Sequence, residues 1–193
     1  MRITDLIDKK SIKLNLKSTN KSDVINELVE LMNHSGNLKN KEEYKKAILA
    51  REELSTTGIG EGIAIPHAKT TAVKKASLAT GISKDGIDYE AFDGSLANLF
   101  FMIAAPDGAN NTHLEVLARL STILMDEDFR EKLINASSEE EFLDLINQKE
   151  MEKFPEEYEI EEIELERDAV EIKEEIKEEN DSKYPKVLAV TAC

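Results

Sequence analysis

The chain has 193 residues, 40% of them hydrophobic and 34% charged, and a formal net charge of −15. That length suits one domain plus a tail, and the acidic balance argues against non-specific nucleic-acid binding, because polyphosphate repels such a surface. The one cysteine is the last residue, Cys193; it has no partner for an internal disulfide, which fits a reducing, cytoplasmic setting.

The opening "MRITDLIDKK" has no apolar core of the kind a signal peptide needs. "SIKLNL" alternates Ile12, Leu14 and Leu16 with polar residues, the pattern of a half-buried strand. Asn20 to Ser22 then offers helix caps. Val24, Ile25, Leu28, Val29, Leu31 and Met32 follow at helical spacing, and Gly36 can end the helix. "NKEEYKKAILAREEL" predicts a second helix, with Asn40 and Glu43 at capping-box spacing and Arg51 in its last turns.

A glycine loop, Gly58 to Gly62, leads into the short strand "IAI", which Pro66 closes. "ASLATGIS" reads as a further strand, and Asp85-Gly86 and Asp93-Gly94 read as turns. "LANLFFMIAAP" is the most buried strand candidate. It is about half the ~20 residues a helix needs to span a bilayer, so no membrane insertion is expected. Thr112 and Glu115 form a capping box that places His113 at the first helical position. "DEDFREKLI" and "SSEEEFLDLI" predict two more helices, the second with Ser138 and Glu141 at capping-box spacing.

Strands and helices intermix, so residues 1–149 are expected to form a single α/β domain. That body is only mildly acidic, with 24 acids against 19 bases, whereas residues 150–179 carry 15 against 4. Residues 150–183 therefore read as an acidic linker, partly helical or disordered; a helix docked on the body or on a partner is the alternative. Residues 184–193, with Val187, Leu188 and Val190, look like the first strand of something new.

Three groups in the body invite chemistry. "GIGEG" is G-x-G-x-G, which is neither a dinucleotide fingerprint nor a phosphate-binding P-loop. Its glycines allow a tight, positive-φ path into a strand, or let another protein or a phosphate come close to the backbone. His67 follows Pro66 at a strand end beside that loop, where a side chain is presented outward and ligands bind α/β sheets. His113, in a helix's first turn, is disfavoured as a cation and can donate one hydrogen bond to an anion. Arg51 is either a solvated helix residue or an anion-binding fork. His34, His67 and His113 are 33 and 46 residues apart, without metal-ligand spacing, and no G-x-S-x-G elbow exists for a hydrolase.

"AILAREELSTTGIGEGIAIPHAKT", Ala47 to Thr70, resembles the signature of the fructose/mannitol-type IIA domain of the bacterial phosphoenolpyruvate-dependent sugar phosphotransferase system. The resemblance covers the body of the chain. "KVLAVTAC", Lys186 to Cys193, looks like the start of a fructose-type IIB domain. The fold implied is a mixed β-sheet flanked by helices on both faces. The resemblance maps the phosphorylated histidine onto His67 and the phosphate-stabilising residues onto Arg51 and His113.

In such a system the histidine takes a phosphoryl group from phospho-HPr and passes it to the IIB cysteine. Membrane IIC is reached through IIB, and no cofactor or metal is used. Family likeness suggests Nε2 as the phosphorylated nitrogen, and the tail's resemblance alone suggests fructose as the sugar, with mannitol or mannose derivatives left open. Cys193 would be the next carrier, inactive here because the loop that should cradle its phosphate is absent, as in a fragment cut at the domain junction. The rival functions are a regulatory IIA paralogue that senses phosphorylation state and a non-catalytic interaction module.

Overall fold

The structure is a computed structural model that describes residues 2–108, 112–156 and 158, the side chain of Thr112 excepted. The chain divides into two compact units, Met1–Lys153 and Phe154–Cys193. Of the second, Phe154, Pro155, Glu156 and Tyr158 are described. The remainder of the expected linker and the IIB-like tail with Cys193 lie outside the described residues.

A six-stranded mixed sheet organises the first unit. Its strands are β1 (Ile7–Lys13), β2 (Gly58–Gly60), β3 (Ile63–Ala64), β4 (His67–Thr70), β5 (Ser77–Ile87) and β6 (Ala97–Pro106), in the order β1-β5-β6-β3-β2. β4 lies along the same edge of β6 as β3, further on. β6 is central because it is apolar along nearly its whole length, and its inner residues are buried on both faces.

Phe100, Met102 and Ala104 pack with helices α1 (Lys21–His34) and α2 (Lys41–Leu54). The alternate residues Leu99, Phe101 and Ile103 point the other way, towards α3 (Thr112–Leu124), α4 (Glu127–Ile134) and α5 (Glu139–Lys153). There the Phe101 and Phe142 rings lie 6.3 Å apart. Each such fully buried aromatic or aliphatic side chain contributes about 1.5–3 kcal/mol. The expected mixed sheet with helices on both faces is the observed one.

The helix starts follow their caps. Asn20 accepts the Asp23 N–H at 3.0 Å, Asn40 that of Glu43 at 3.1 Å and Asp126 that of Phe129 at 3.0 Å. At α2 the reciprocal half of the box is missing, since the Asn40 N–H goes to the Ala72 carbonyl at 3.4 Å. At α5, Ser138 accepts from the Glu141 N–H at 3.1 Å, and Glu141 reaches back to the Ser137 N–H at 2.8 Å. Gly36, at φ 72, turns the chain out of α1.

Four elements differ from expectation. β1 begins at Ile7 rather than Ser11, and Asp8 to Lys10 bulge outward where its register on β5 shifts. Pairing runs on past the strand to Leu16, whose N–H reaches the Ile82 carbonyl at 2.8 Å. Asp85-Gly86 is a bulge inside β5 and not a turn: Gly86 has φ 75, and the register on β6 shifts between Ile82 and Ile87. Gly58–Gly60 is a strand, paired with β3, so the glycine segment is a tight hairpin. α5 continues through Lys149 and Glu150, both buried, to Lys153, past the 149 boundary.

Candidate active site

Pro66 interrupts the strand without ending its pairing. It has no N–H to give, yet its carbonyl accepts the Ile103 N–H at 2.9 Å, and β4 resumes at once beside β6. His67 is thus the first residue of a strand rather than the last. The break bends the chain so that the half-buried ring turns back on its own backbone. His67 Nδ1 lies 2.8 Å from the Ile65 carbonyl oxygen. A carbonyl only accepts, so Nδ1 carries the proton and the lone pair is left on Nε2.

α2 packs against β4 and sets Arg51, in its last turn, over that lone pair. The Arg51 Nε–H donates to His67 Nε2 at 3.2 Å, and Nη1 donates to the Ser55 carbonyl at 3.0 Å. The guanidinium is held at two points, and Nη2 has no hydrogen-bond partner among the described residues. The environment keeps the imidazole neutral. Burial pushes the His67 pKa below its ordinary 6.5, and electrostatic repulsion of a proton by Arg51 and by the nearby His113 acts the same way, against the Ile65 hydrogen bond and the Glu52 carboxylate. A proton on Nε2 would also face the Arg51 N–H donor to donor.

His113 is the second residue of α3, one place later than the capping-box spacing suggests, because the helix begins at Thr112. It is near enough to His67 to act on it electrostatically. No hydrogen bond joins the two rings, and its buried Nδ1 has no hydrogen-bond partner among the described residues. The first turn of α3 lies behind it with its positive end. Arg51, His67 and His113 therefore converge from α2, β4 and α3.

The glycines serve a different purpose from clearance for a partner. A Cβ on Gly60, at φ 101, would lie 2.7 Å from the Asp93 carboxylate, and one on Gly58 would lie 3.1 Å from the Ala91 backbone. Their space is filled by the chain's own loop after β5. Asp93 accepts the Glu61 N–H at 2.8 Å and the Ser95 N–H at 2.9 Å, and these bonds hold its pKa down to about 2. The hairpin is thereby braced beside the site.

Sequence reasoning missed three contributors: the Ile65 and Ser55 carbonyls and the buried carboxylate of Glu52. Backbone acceptors leave no mark in a sequence. Glu52 sits in the "REE" run beside Arg51, where three charged residues in a row read as a solvated helix face.

Among the described residues no group of three or more His, Cys, Asp or Glu could hold a metal ion, and no helix is long and apolar enough to cross a membrane. Comparison with known proteins agrees with the architecture. Residues 5–149 match the family described as "Phosphoenolpyruvate-dependent sugar phosphotransferase system, EIIA 2".

The chain is 56% identical over 148 residues to the PTS system fructose-specific EIIABC component of Bacillus subtilis, an alignment covering 77% of this chain and 23% of that protein. The crystal structure of the nitrogen regulatory protein IIA-Ntr from Neisseria meningitidis superposes with a TM-score of 0.70 at 30% identity, covering 75% of this chain and 98% of that one. The enzyme IIAMTL–phosphorylated enzyme IIBMTL complex from Escherichia coli gives 0.65 at 29% identity, covering 74% and 99%. Fold and sequence together define a IIA unit of a phosphotransferase system, a class whose members act as phosphotransferases. The chain belongs to the type 2 EIIA family of the phosphoenolpyruvate-dependent sugar phosphotransferase system.

Proposed function

We propose that His67 carries a phosphoryl group on Nε2, received from the phosphohistidine of HPr and handed to the cysteine of a IIB domain. The observation that carries this reading is the fixed tautomer: Nδ1–H is given to the Ile65 carbonyl, and the one lone pair lies on Nε2 under Arg51. That lone pair attacks phosphorus while the donor's N–P bond breaks and its electrons return to the donor imidazole. Arg51 then meets the phosphoryl oxygens instead of the ring, and His113 adds a second positive or hydrogen-bonding group. In the onward step a cysteine thiolate attacks phosphorus, the N–P bond breaks, and Nε2 regains its lone pair.

Exposed apolar side chains lie on two elements that bear the site, Leu54 on α2 and Leu114 on α3, and on the adjoining hairpin, Ile59 on β2. They suit transient docking of partner proteins, HPr on one occasion and IIB on another. The fructose-specific relative supports fructose as the sugar, with phosphate reaching membrane IIC through IIB and the IIA unit working in the cytoplasm. In this reading residues 1–149 belong to the IIA domain, whose last helix runs on to Lys153, the linker follows to residue 183, and 184–193 start IIB, with Cys193 at the carrier position.

Incubation with phosphoenolpyruvate, enzyme I and HPr, followed by mass spectrometry at alkaline pH, tests the proposal. Acid-labile phosphate on His67 is expected, and none after His67→Ala. Arg51→Ala and His113→Ala should each slow transfer, Arg51→Ala by about 10²-fold. An unlabelled wild-type chain would overturn the carrier role and leave an interaction module. The likeness to IIA-Ntr favours a second reading, a regulatory paralogue. It predicts labelling of His67 with no onward transfer to a purified IIB domain.

A further inference from the structure

Glu52 lies next to Arg51 on α2, and its side chain is only 6% exposed. Its carboxylate gathers four donors. Oε1 accepts from the Thr57 hydroxyl and, at 3.2 Å, from the Tyr89 hydroxyl. Oε2 accepts the Thr57 N–H at 3.2 Å and faces the Lys21 ammonium at 3.1 Å. No hydrogen bond joins it to His67 or to the Arg51 guanidinium. What it holds is the chain between α2 and β2.

That chain leads back to the site. The Thr57 carbonyl accepts the Ile65 N–H at 3.0 Å, and the Ile65 carbonyl accepts the His67 Nδ1–H at 2.8 Å. His67 Nε2 accepts from Arg51 at 3.2 Å, and Arg51 donates to Ser55, within the segment Glu52 holds, at 3.0 Å. The bonds form a circuit from Glu52 through Thr57, Ile65 and His67 to Arg51, the covalent neighbour of Glu52. With any link gone, guanidinium and imidazole can drift apart.

We infer that Glu52 is a positioning residue for phosphoryl transfer: it closes this circuit and so fixes the tautomer of His67 and the place of the Arg51 guanidinium. The inference rests on the phosphocarrier reading above. Only a carboxylate can accept from all four donors at once, since an amide of the same shape has one acceptor oxygen. Lys21 offsets the charge that burial would otherwise penalise. The effect on rate is large because a misplacement of about 1 Å can cost on the order of 10²-fold.

The test uses Glu52→Gln and Glu52→Ala in the full chain, with two readouts. One is kcat and KM with phospho-HPr as donor. The other is ¹⁵N NMR of the unphosphorylated His67 ring, which needs no donor. In Glu52→Ala, kcat should fall about tenfold or more with KM held within about twofold, and Glu52→Gln should fall between it and wild type. The single Nδ1–H tautomer should become a mixture in both. If the alanine variant does not fold, the glutamine variant, equal in shape, carries the test.

Either readout staying at its wild-type value in both folded variants overturns the inference. So does a loss of thermal stability alone. Should wild type itself prove unlabelled, the carrier reading fails first, and the tautomer of His67 in the variants still decides whether Glu52 closes the circuit.

Discussion

An imidazole whose Nδ1 proton is given to a backbone carbonyl has one nitrogen left to react, and in His67 that nitrogen meets a guanidinium instead of water. The depressed pKa gives the pH dependence its sign. In the carrier reading proposed above the neutral ring is the reactive form, so the labelling rate should stay flat from pH 8 down through 6.5, the ordinary value, and fall only as pH drops through the lower folded value. Stability follows the same direction. The folded state binds fewer protons than the unfolded one, so this contribution is complete above 6.5 and is lost as pH falls through the folded value. Removing the Arg51 charge in Arg51→Ala should move the acid limb of the rate profile upward, which a pH series of labelling rates checks. An unmoved limb would mean that Arg51 does not act on His67 electrostatically.

Elements that announce themselves by local chemistry were legible before any coordinates. Asn20, Asn40 and Ser138 each cap the helix predicted from them, and the apolar run of β6 marks the sheet's centre. Replacing the cap of α2, Asn40→Ala, should cost about 1 kcal/mol in unfolding free energy. It should leave labelling of His67 intact, because Arg51 sits at the far end of that helix; thermal melting and labelling measured side by side check this. Elements decided by partners elsewhere in the chain were not legible. Pro66 looks like a strand's end, and only β6 reveals that its carbonyl still pairs and that β4 follows. Asp85-Gly86 looks like a turn because a bulge and a turn use the same residues, and register alone separates them. At the site, His67 and Arg51 stood out by motif, whereas Glu52 and the Ile65 carbonyl did not, since their roles exist only through contacts.

On the scale of the whole unit, the two layers of helices are tied to the sheet by packing, and its ends are tied by charge. Glu150 is fully buried near the end of α5; it accepts the Ile3 N–H at 2.9 Å and the Arg119 Nε–H at 3.2 Å. Its companions Lys149 and Asp126, 2.7 Å apart, join α5 to the cap of α4. A sequence rich in acids from residue 150 onward gave no hint that the first of them is interior. Glu150→Ala removes the acceptor from a buried N–H and a buried guanidinium, and should lower the unfolding free energy by about 3 kcal/mol in a denaturant titration. A change under about 0.5 kcal/mol would mean that the pair is solvated in solution.

The Glu150–Ile3 contact means that the polypeptide enters and leaves this unit at one spot. A body with a common doorway can be spliced into a longer chain, or stand by itself, without pulling on its interior. It can also be rewired. Joining Lys153 to Arg2 through a short glycine-serine bridge, and opening new ends between the exposed Lys74 and Lys75, should give a permuted protein. Its circular dichroism should match the parent's, and enzyme I and HPr should label it on His67.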